Sequence, residues 1–561
     1  MPPRPASPYL GRMTAPRRLL ALLVLSAAMT GCGDQETTAD RKAREGVLVI
    51  NNMAEPSGLD PQTVTGLSES RIMYALFEGL VNYDPVDLSP APGVAESWTM
   101  SADGRTWTFR LRREARWSNG DPVTSADFLF SWRRILLPSF GAEYASMLHA
   151  VKGAKDFNEG REKDFSRVGF RAPDDRTLVV ELEYPVPYFL GLLCHHSWLP
   201  VHPPTILKHG AVDALHTPWT RPGSLVGNGA FSLESWEVAR HVKLRRNPLY
   251  WNAAKVGLNG VEFRAIPDLF AEERAFRGGE LHITGAVPPY KVGRMRAEKA
   301  PELRLDPFLA TGFIWVNCDF QGKDPAVRKA LSDARVRRAL GLAIDRQQIV
   351  EKVLRAGETP ALHFTPPGTG GFHATARWRP DLTEARRLLT EAGYPDGRGF
   401  PKLEYLYNSS EGSQMAAQAY QEMWRGGLGI QVELRNLEWK VYLSAMHKGD
   451  YQIGRGAWVG DYNDPNTFLE MLQTGNGLNQ SRWSDPDYDR LLGLAARETD
   501  PVKRHGHFQA AEELLVRQAP VIPVAFGRNK FLISPHVKGW HPTLLDQHPL
   551  NGVTLAPSKG D

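Results

Sequence analysis

Residues 106–132 read TWTFRLRREARWSNGDPVTSADFLFSW and indicate the class of fold. Residues 106–111 alternate in character, as a strand does when one of its faces is buried. Residues 118–122, SNGDP, are typical of a turn. Thr124 then supplies a hydroxyl at a helix start and Asp127 a carboxylate three positions later, a pattern that caps helices. A strand, a turn and a helix in succession predict a protein of mixed α/β (α+β) class.

The same mixture continues on both sides of this stretch. From residue 336 the apolar side chains recur with helical spacing, which predicts a buried helix face made of Val336, Ala339, Leu340, Ala343 and Ile344. Further helices are predicted at 68–77, 383–392, 415–424 and 509–516. Strands are predicted at 47–50, 177–182, 229–235, 241–245, 260–266, 430–434 and, with an interruption, 521–524. Because 561 residues exceed one core of roughly 250–300 residues, several lobes are expected.

The amino-terminal segment has the pattern of an export signal. Arg12, Arg17 and Arg18 precede an apolar run at 19–29, and Met29-Thr30-Gly31-Cys32 follows. The run is shorter than the roughly 20 apolar residues of a membrane-spanning helix. A cysteine at this position resembles the bacterial lipobox, so we predict a lipoprotein signal peptide at 1–31, a lipidated Cys32 and a tether at 32–46. A plain signal with an incidental cysteine is the alternative.

Charge and cysteine content narrow the possible functions. The chain has 67 Lys and Arg against 63 Asp and Glu, and four of the arginines precede Cys32, so residues 32–561 carry no net charge. We find no basic stripe, and nucleic-acid binding is not expected. Cys194 and Cys318 are far apart in sequence; we predict two unpaired buried thiols, although an exported protein could form one bridge.

Motifs of catalysis are missing from the sequence. It contains no Gly-x-Ser-x-Gly elbow, no His-Glu-x-x-His zinc helix and no phosphate-binding loop. Cys194-His195-His196 would point to different faces of a strand, which disfavours a shared metal. Residues 461–466 superficially suggest a calcium loop, but Asn466 stands where that loop needs glycine. We therefore predict a binding protein with no metal or cofactor, and an exported enzyme is the rival reading.

Several segments resemble the family 5 extracellular solute-binding proteins, and the likeness is collinear over most of residues 47–550. It is strongest to the branch that binds oligopeptides for ABC importers. The segments are AESW at 95–98, WTFRLR at 107–112, WSNGDPVT at 117–124, VPYF at 186–189, GNGAF at 227–231, NPLYW at 247–251, DARVRRAL at 333–340, EAGYP at 391–395 and WVGDYN at 458–463.

The resemblance implies a periplasmic binding protein-like fold, in which two large lobes close on a hinge and a smaller third lobe packs on the first. Lobe I would comprise 47–77, 204–309 and 528–561, lobe II 78–203, and lobe III 310–527. Such a protein would be anchored by lipid at the cell membrane, facing the periplasm or the outside. As a monomer it would capture short peptides and deliver them to the permease and ATPase subunits of an ABC importer. A receptor for cell-wall peptides or another solute is the alternative.

The resemblance also assigns residues to the ligand site. Asp461 would pair with the ammonium group of the ligand, although an Asp in this position could also simply order a turn. The other positions are Trp458 and Trp439 as aromatic walls, Tyr144 reaching over from lobe II, Val459, Gly460 and Leu67 through their backbones, Arg455 near the ligand carboxylate, and Asn228 in the GNGAF segment.

Other positions depart from the family pattern. Thr65 replaces a glutamate near the ligand, Ser413 a histidine and Met446 an arginine. A pair of cysteines that links two strands in lobe III is absent, with Ala310 and Val459 in their places. We therefore expect the recognition of the amino end to be retained and that of the carboxyl end to be altered.

Overall fold

The computed structural model describes residues 36–409 and 411–556, apart from the side chains of residues 411, 439 and 440. The predicted signal peptide and Cys32 lie outside the described residues. Helices and strands alternate along the described chain, which confirms the mixed fold class. None of the helices described is both long and apolar enough to cross a membrane.

The strands of the described chain form three larger sheets and two small pairs. Their bounds are β1 Val47–Asn51, β2 Val81–Tyr83, β3 Pro90–Pro92, β4 Ala95–Met100, β5 Thr106–Leu111, β6 Phe170–Asp174, β7 Thr177–Glu181, β8 Phe231–Glu237, β9 His241–Arg246, β10 Gly260–Arg264, β11 Leu303–Val316, β12 Thr359–Pro360, β13 Leu403–Asn408, β14 Val432–Leu437, β15 Ile453–Val459, β16 Val521–Leu532, β17 Val537–Lys538 and β18 Thr554–Leu555.

The described chain also forms 17 α-helices. Their bounds are α1 Thr38–Arg44, α2 Leu67–Leu76, α3 Ser125–Leu136, α4 Ala154–Asn158, α5 Phe189–Leu193, α6 Pro203–His209, α7 Leu269–Arg277, α8 Pro289–Ala297, α9 Pro325–Ser332, α10 Ala334–Leu342, α11 Arg346–Gln348, α12 Leu382–Glu391, α13 Glu411–Leu428, α14 Trp439–Lys448, α15 Asn466–Leu469, α16 Pro486–Arg497 and α17 Pro501–Gln518. One turn of π-helix, Ile349–Leu354, follows α11.

The first sheet has the strand order β1-β10-β9-β8, with β1 parallel to β10 and the other pairs antiparallel. Leu48, Val49 and Ile50 of β1 are all buried. Leu48 and Ile50 join the main core, whereas Val49 packs with a separate cluster on the other face. A strand covered on both faces explains the continuous apolar run in the sequence.

The second sheet, β4-β5-β7-β6, is antiparallel and contains the stretch from which the fold class was predicted. Trp107, Phe109 and Leu111 of β5 are buried, in alternation with more exposed neighbours. The capping pattern is confirmed, because the backbone N–H of Thr124 donates to Asp127 Oδ2 at 2.8 Å at the start of α3.

The third sheet has the order β12-β16-β11-β15-β13-β14 and carries Arg455, Trp458 and Val459 of the predicted ligand site on β15. β11 lies between β16 and β15, antiparallel to both, while β13 runs parallel to β14 and β15. The interruption predicted near residue 523 is an irregularity in the register, where Phe313 pairs with Pro523 and Gly312 with Ala525. Proline has no N–H for the ladder, so it fits only at such a place.

β11 and β16 run past the boundaries predicted between lobes I and III, at 309/310 and 527/528. The first half of β11 pairs with the last residues of β16, and Leu532 at the end of β16 accepts a hydrogen bond from the backbone N–H of Thr284 beside the first sheet. The same two strands therefore extend from the first sheet into the third. The lobe boundaries themselves stay a prediction.

One other prediction is confirmed, and a second is confirmed only in part. The five residues of the predicted face of α10 and the segment after it are all buried. Cys194 and Cys318 are both unpaired among the described residues; Cys194 is buried as expected, but Cys318 is only partly buried. By contrast, β11, β13 and β15 were not predicted from the sequence.

Candidate functional site

Asp461 follows β15, in a loop that is fixed at both ends. Its backbone N–H donates to Thr467 Oγ1 at 3.0 Å, and the N–H of the preceding Gly460 donates to the carbonyl of Leu309 at 2.8 Å. A Cβ at Gly460 would lie 2.5 Å from Leu309 Cδ2, so any larger residue here would force the buried Leu309 side chain to shift. Farther along, Arg504 of α17 makes two hydrogen bonds, of 2.6 and 2.8 Å, to the carboxylate of Asp464.

The negative charge of the Asp461 carboxylate has little to stabilise it. Its side-chain hydrogen-bond donor is the Tyr144 hydroxyl, at 3.5 Å from Oδ1. Among the side chains that the structure describes, no Lys, Arg or His nitrogen lies within 4.0 Å of it, and burial raises the pKa of Asp461 to about 7. Asp461 is nevertheless only half-buried, so a ligand has access. A carboxylate withdrawn from water without a cation favours binding of a positive group.

Tyr144 comes from the side of the second sheet and is backed by two histidines. Its ring meets those of His195 and His196 edge-on, with centroids 4.6 and 5.4 Å apart. Burial lowers the pKa of His196 to about 4 and that of His195 well below its usual range, so both rings are neutral near pH 7. The Nδ1 atom of His195 is hydrogen-bonded to Ser197 Oγ, and that of His196 is hydrogen-bonded to the carbonyl oxygen of Pro61. This wall of the site therefore brings no positive charge to Asp461.

Trp458 and Val459 are fixed on β15 opposite β11. The indole N–H of Trp458 donates to the carbonyl of Thr467 at 2.7 Å, which holds the ring over the loop that carries Asp461. Val459 pairs directly with Ala310 across the two strands. The two positions where the family pattern has linked cysteines thus face each other, but neither supplies sulfur.

Arg455 lines a cavity of about 690 Å³ at the other end of β15 from Asp461. Lys530 and Arg355 also line it, and Lys530 is paired with Glu358 at 2.5 Å. Arg355 ends the π-helical turn with a positive φ of 57°, a conformation that is uncommon for a side chain of this size and is enriched at functional sites. This cavity is therefore lined by three positively charged side chains, those of Arg355, Arg455 and Lys530.

The positions that depart from the family pattern lie in different surroundings. Ser413 lines the same cavity as Arg455, and its effect on recognition of a carboxyl end stays a prediction. Met446 is buried, and Thr65 is exposed in the loop before α2.

The remaining predicted residues are less closely associated with this site. Leu67 begins α2 and is 43% exposed. Asn228 is buried, and its side-chain amide bonds to both the backbone N–H and the carbonyl of Glu78, at 2.9 Å each. Asn228 therefore braces two chain segments, and its role as a ligand contact stays a prediction. The side chain of Trp439 lies outside the described residues.

Tyr188, Tyr462, Asn466 and Glu470 were not assigned to the site from the sequence. They form a cluster directly beside Asp461, in which the Tyr462 hydroxyl donates to Glu470 Oε1 at 2.8 Å. Burial raises the pKa of Glu470 to about 7, and the charge of Asp461 adds to this effect. Tyr188 and Tyr462 lie within segments that carry the family resemblance, VPYF and WVGDYN, which was the available signal.

Comparison with known proteins places this chain in a family. Residues 89–480 match the family described as bacterial extracellular solute-binding proteins, family 5 Middle. The chain is 36% identical over 538 residues to the periplasmic oligopeptide-binding protein OppA of Escherichia coli K12, covering 93% of this chain and 95% of that protein. It is also 36% identical over 501 residues to the periplasmic murein peptide-binding protein MppA of the same strain, covering 88% and 90%.

Solved structures agree with these relatives. The structure of E. coli MppA, a murein tripeptide binding protein, superposes with a TM-score of 0.78 at 34% identity, covering 91% of this chain and 98% of that chain. Haemophilus influenzae OppA in complex with RPPGFSPFR gives a TM-score of 0.77 at 34% identity, covering 91% and 99%. The fold is thus that of multi-lobed periplasmic binding proteins.

Proposed function

Because this chain belongs to the family 5 bacterial extracellular solute-binding proteins, we propose that it captures short peptides between its lobes and hands them to an ABC importer. The observation that carries this proposal is the carboxylate of Asp461, which is partly withdrawn from water and has no cation in contact among the side chains that the structure describes. The α-ammonium group of a peptide would supply the missing charge in a charge-assisted hydrogen bond. The relatives named above bind oligopeptides or a murein peptide, which agrees with this ligand class.

The backbone of the ligand would be held by the edge of β15. β13 pairs with β15 only through Ile453 and Gly454, and no other strand of the described residues lies along that edge beyond Arg455. An extended peptide can add itself to such an edge through main-chain hydrogen bonds, which carry no information about side chains. This mode of binding suits a receptor that accepts many sequences.

The carboxyl end would lie toward Arg455. From Asp461 to Arg455 the chain spans about 20 Å if extended at 3.3 Å per residue, a distance that a peptide of a few residues can bridge. The guanidinium group suits recognition of a carboxylate, and Arg355 lines the same cavity. Ligand side chains would occupy this cavity, whose volume of about 690 Å³ is typical of small-ligand sites.

Delivery and anchoring complete the proposal. Cleavage before Cys32 and acylation of its thiol would tether a monomeric receptor to the membrane, outside the cytoplasm, through the residues that precede α1. The rest of the predicted tether, 32–46, includes α1 Thr38–Arg44, which packs on the body with Ala39 and Ala43 buried. Peptide would bridge the lobes and shift the population toward the closed form. The closed form would dock on the permease, and hydrolysis of ATP would belong to partner subunits. The receptor itself needs no cofactor and no catalytic step.

The test is to identify what the purified protein binds. A version starting after Cys32 is incubated with a mixture of short peptides, washed, and the bound fraction is analysed by mass spectrometry. We expect intact peptides of mixed sequence and a loss of binding when the amino ends are acetylated. Recovery of cleaved fragments would instead favour an exported hydrolase. Selective recovery of murein peptides, or of a different solute, would favour the alternative receptor function.

A further inference from the structure

Tyr188 joins two parts of the molecule beside the proposed ligand site. It directly precedes α5, whose first residue, Phe189, packs against Trp107 of the second sheet with ring centroids 5.6 Å apart. The ring of Tyr188, however, stacks on Tyr462, the residue after Asp461, with centroids 5.0 Å apart and planes only 6° from parallel. The stack therefore connects the second sheet with the loop that follows β15 of the third sheet.

Asn466 adds hydrogen bonds to the same contact. Its Nδ2 lies 3.0 Å from the hydroxyl oxygen of Tyr188, 3.1 Å from that of Tyr462 and 2.5 Å from Glu470 Oε2. An amide nitrogen has two hydrogens, so the three oxygens share these two donors. Arg504, held by Asp464, places its guanidinium 5.3 Å from the centre of the Tyr188 ring.

This contact is connected to Asp461 through covalent and hydrogen bonds. Tyr462 directly follows Asp461 in the chain. Thr467, whose hydroxyl accepts a hydrogen bond from the backbone N–H of Asp461, directly follows Asn466. Opening the two parts of the molecule would separate Tyr188 from Tyr462 and Asn466. It would also remove Tyr144, which comes from the same side as Tyr188, from Asp461.

We propose that Tyr188, Tyr462 and Asn466 form a latch that holds the closed form together and sets how long a ligand is retained. This inference rests on the proposed function for its ligand, although the latch residues need not contact the peptide. They are positioning residues, because they act through the loop that bears Asp461. The latch should slow ligand release much more than it affects ligand capture, since its contacts exist only after closure.

The test compares Tyr188→Phe and Tyr188→Ala with the unaltered protein, using a fluorescent peptide displaced by excess unlabelled peptide in a stopped-flow instrument. Tyr188→Phe removes one hydroxyl, and we expect release to quicken about fivefold, as for a hydrogen bond of ~1 kcal/mol. Tyr188→Ala also removes the stack and should quicken release about tenfold or more. Association rates should change less than twofold, and Tyr184→Phe on the same loop serves as the matched control.

A double-mutant cycle with Asn466→Ala distinguishes the loss of the latch contact from a general disturbance of the fold. If the latch exists, the changes in release rate for Tyr188→Phe and Asn466→Ala will be non-additive, because both remove the same hydrogen bond. Thermal unfolding measured beside each variant shows whether the fold is kept. An unchanged release rate in a folded Tyr188→Ala protein would overturn the latch, as would an equal rise in association.

The latch can fail separately from the proposed function. If the unaltered protein binds none of the peptides, small-angle scattering of the ligand-free protein still tests the contact. Tyr188→Ala should then increase the radius of gyration, since the closed form loses stabilising contacts, and the Tyr184→Phe control should not. Equal radii for all three proteins, with the unaltered protein as compact as the structure described here, would reject the latch, whatever the ligand proves to be.

Discussion

At the scale of single residues, Asp461 has the largest expected effect on ligand binding. Its backbone N–H is held by Thr467, and among the described side chains its carboxylate accepts a hydrogen bond from the Tyr144 hydroxyl at a distance of 3.5 Å. We expect Asp461→Ala to weaken peptide binding by about 2–5 kcal/mol, as when one partner of a buried charge pair is removed. Isothermal titration calorimetry measures the change, and Glu433→Gln, an exposed carboxylate paired with Lys402, is the control. A loss of less than threefold would contradict the assigned role.

Binding should also depend on pH through Asp461. Because burial raises its pKa to about 7, part of the population is protonated at neutral pH and must lose that proton before it can pair with an ammonium group. Affinity should therefore fall as pH drops below 7, by up to about tenfold per pH unit, and should fall again above about pH 8 as the peptide amine loses its proton. Isothermal titration calorimetry across pH 5–9 measures the fall in affinity on the acidic limb and on the basic limb of this pH profile. Asp461→Asn should flatten the acidic limb; if that limb persists unchanged, Glu470 or another group is responsible.

The sequence indicated these residues to different degrees. Asp461, Trp458 and Gly460 lie in one short segment whose pattern is specific enough to assign them to the site. Tyr188 and Asn466 are 278 positions apart, and nothing local to either residue indicates that they meet. Asn228 belongs to an equally recognisable segment, but its amide braces the backbone of Glu78.

At the scale of secondary structure elements, local patterns were informative where they were regular. β5 and the cap of α3 could be predicted from alternation and a hydroxyl–carboxylate pair. β15, with the sequence IGRGAWV, could not be predicted in the same way, because two glycines and a central arginine give it low strand propensity. It is a strand because β11 pairs with it along its full length, and tertiary pairing of this kind overrides local preference.

The cap of α3 allows a quantitative test of one such local pattern. Thr124→Ala removes the hydroxyl of the cap while leaving the carboxylate of Asp127 in place. We expect the free energy of unfolding of the region around the second sheet to fall by about 1 kcal/mol. Urea denaturation followed by tryptophan fluorescence reports it, since Trp132 of α3 is fully buried. Thr390→Ala, at an exposed position of α12, should change it by less than about 0.5 kcal/mol.

At the scale of the whole molecule, β11 and β16 are the continuous elements between the first and third sheets. Movement about these strands would open and close the site without breaking either sheet, as in hinge motions of binding proteins. Peptide that bridges the two sides should therefore stabilise the entire chain. We expect a stabilisation of about 2.7 kcal/mol when free peptide is at 100 times its dissociation constant.

Differential scanning calorimetry with increasing peptide concentration measures this stabilisation as a rising midpoint of unfolding. The same peptide with an acetylated amino end is the control and should leave the midpoint unchanged. A shift of equal size with the acetylated peptide would mean that binding does not depend on the amino group, and the proposed site would need to be placed elsewhere.

The facing positions Ala310 and Val459 have a practical consequence. With no sulfur on either strand beside the ligand, and with Cys194 and Cys318 unpaired, reductants have no bond to cleave in the described part of the protein. Peptide capture should thus proceed equally well in dithiothreitol and under oxidising conditions. An organism could rely on this receptor even when thiol oxidation outside the cytoplasm is impaired.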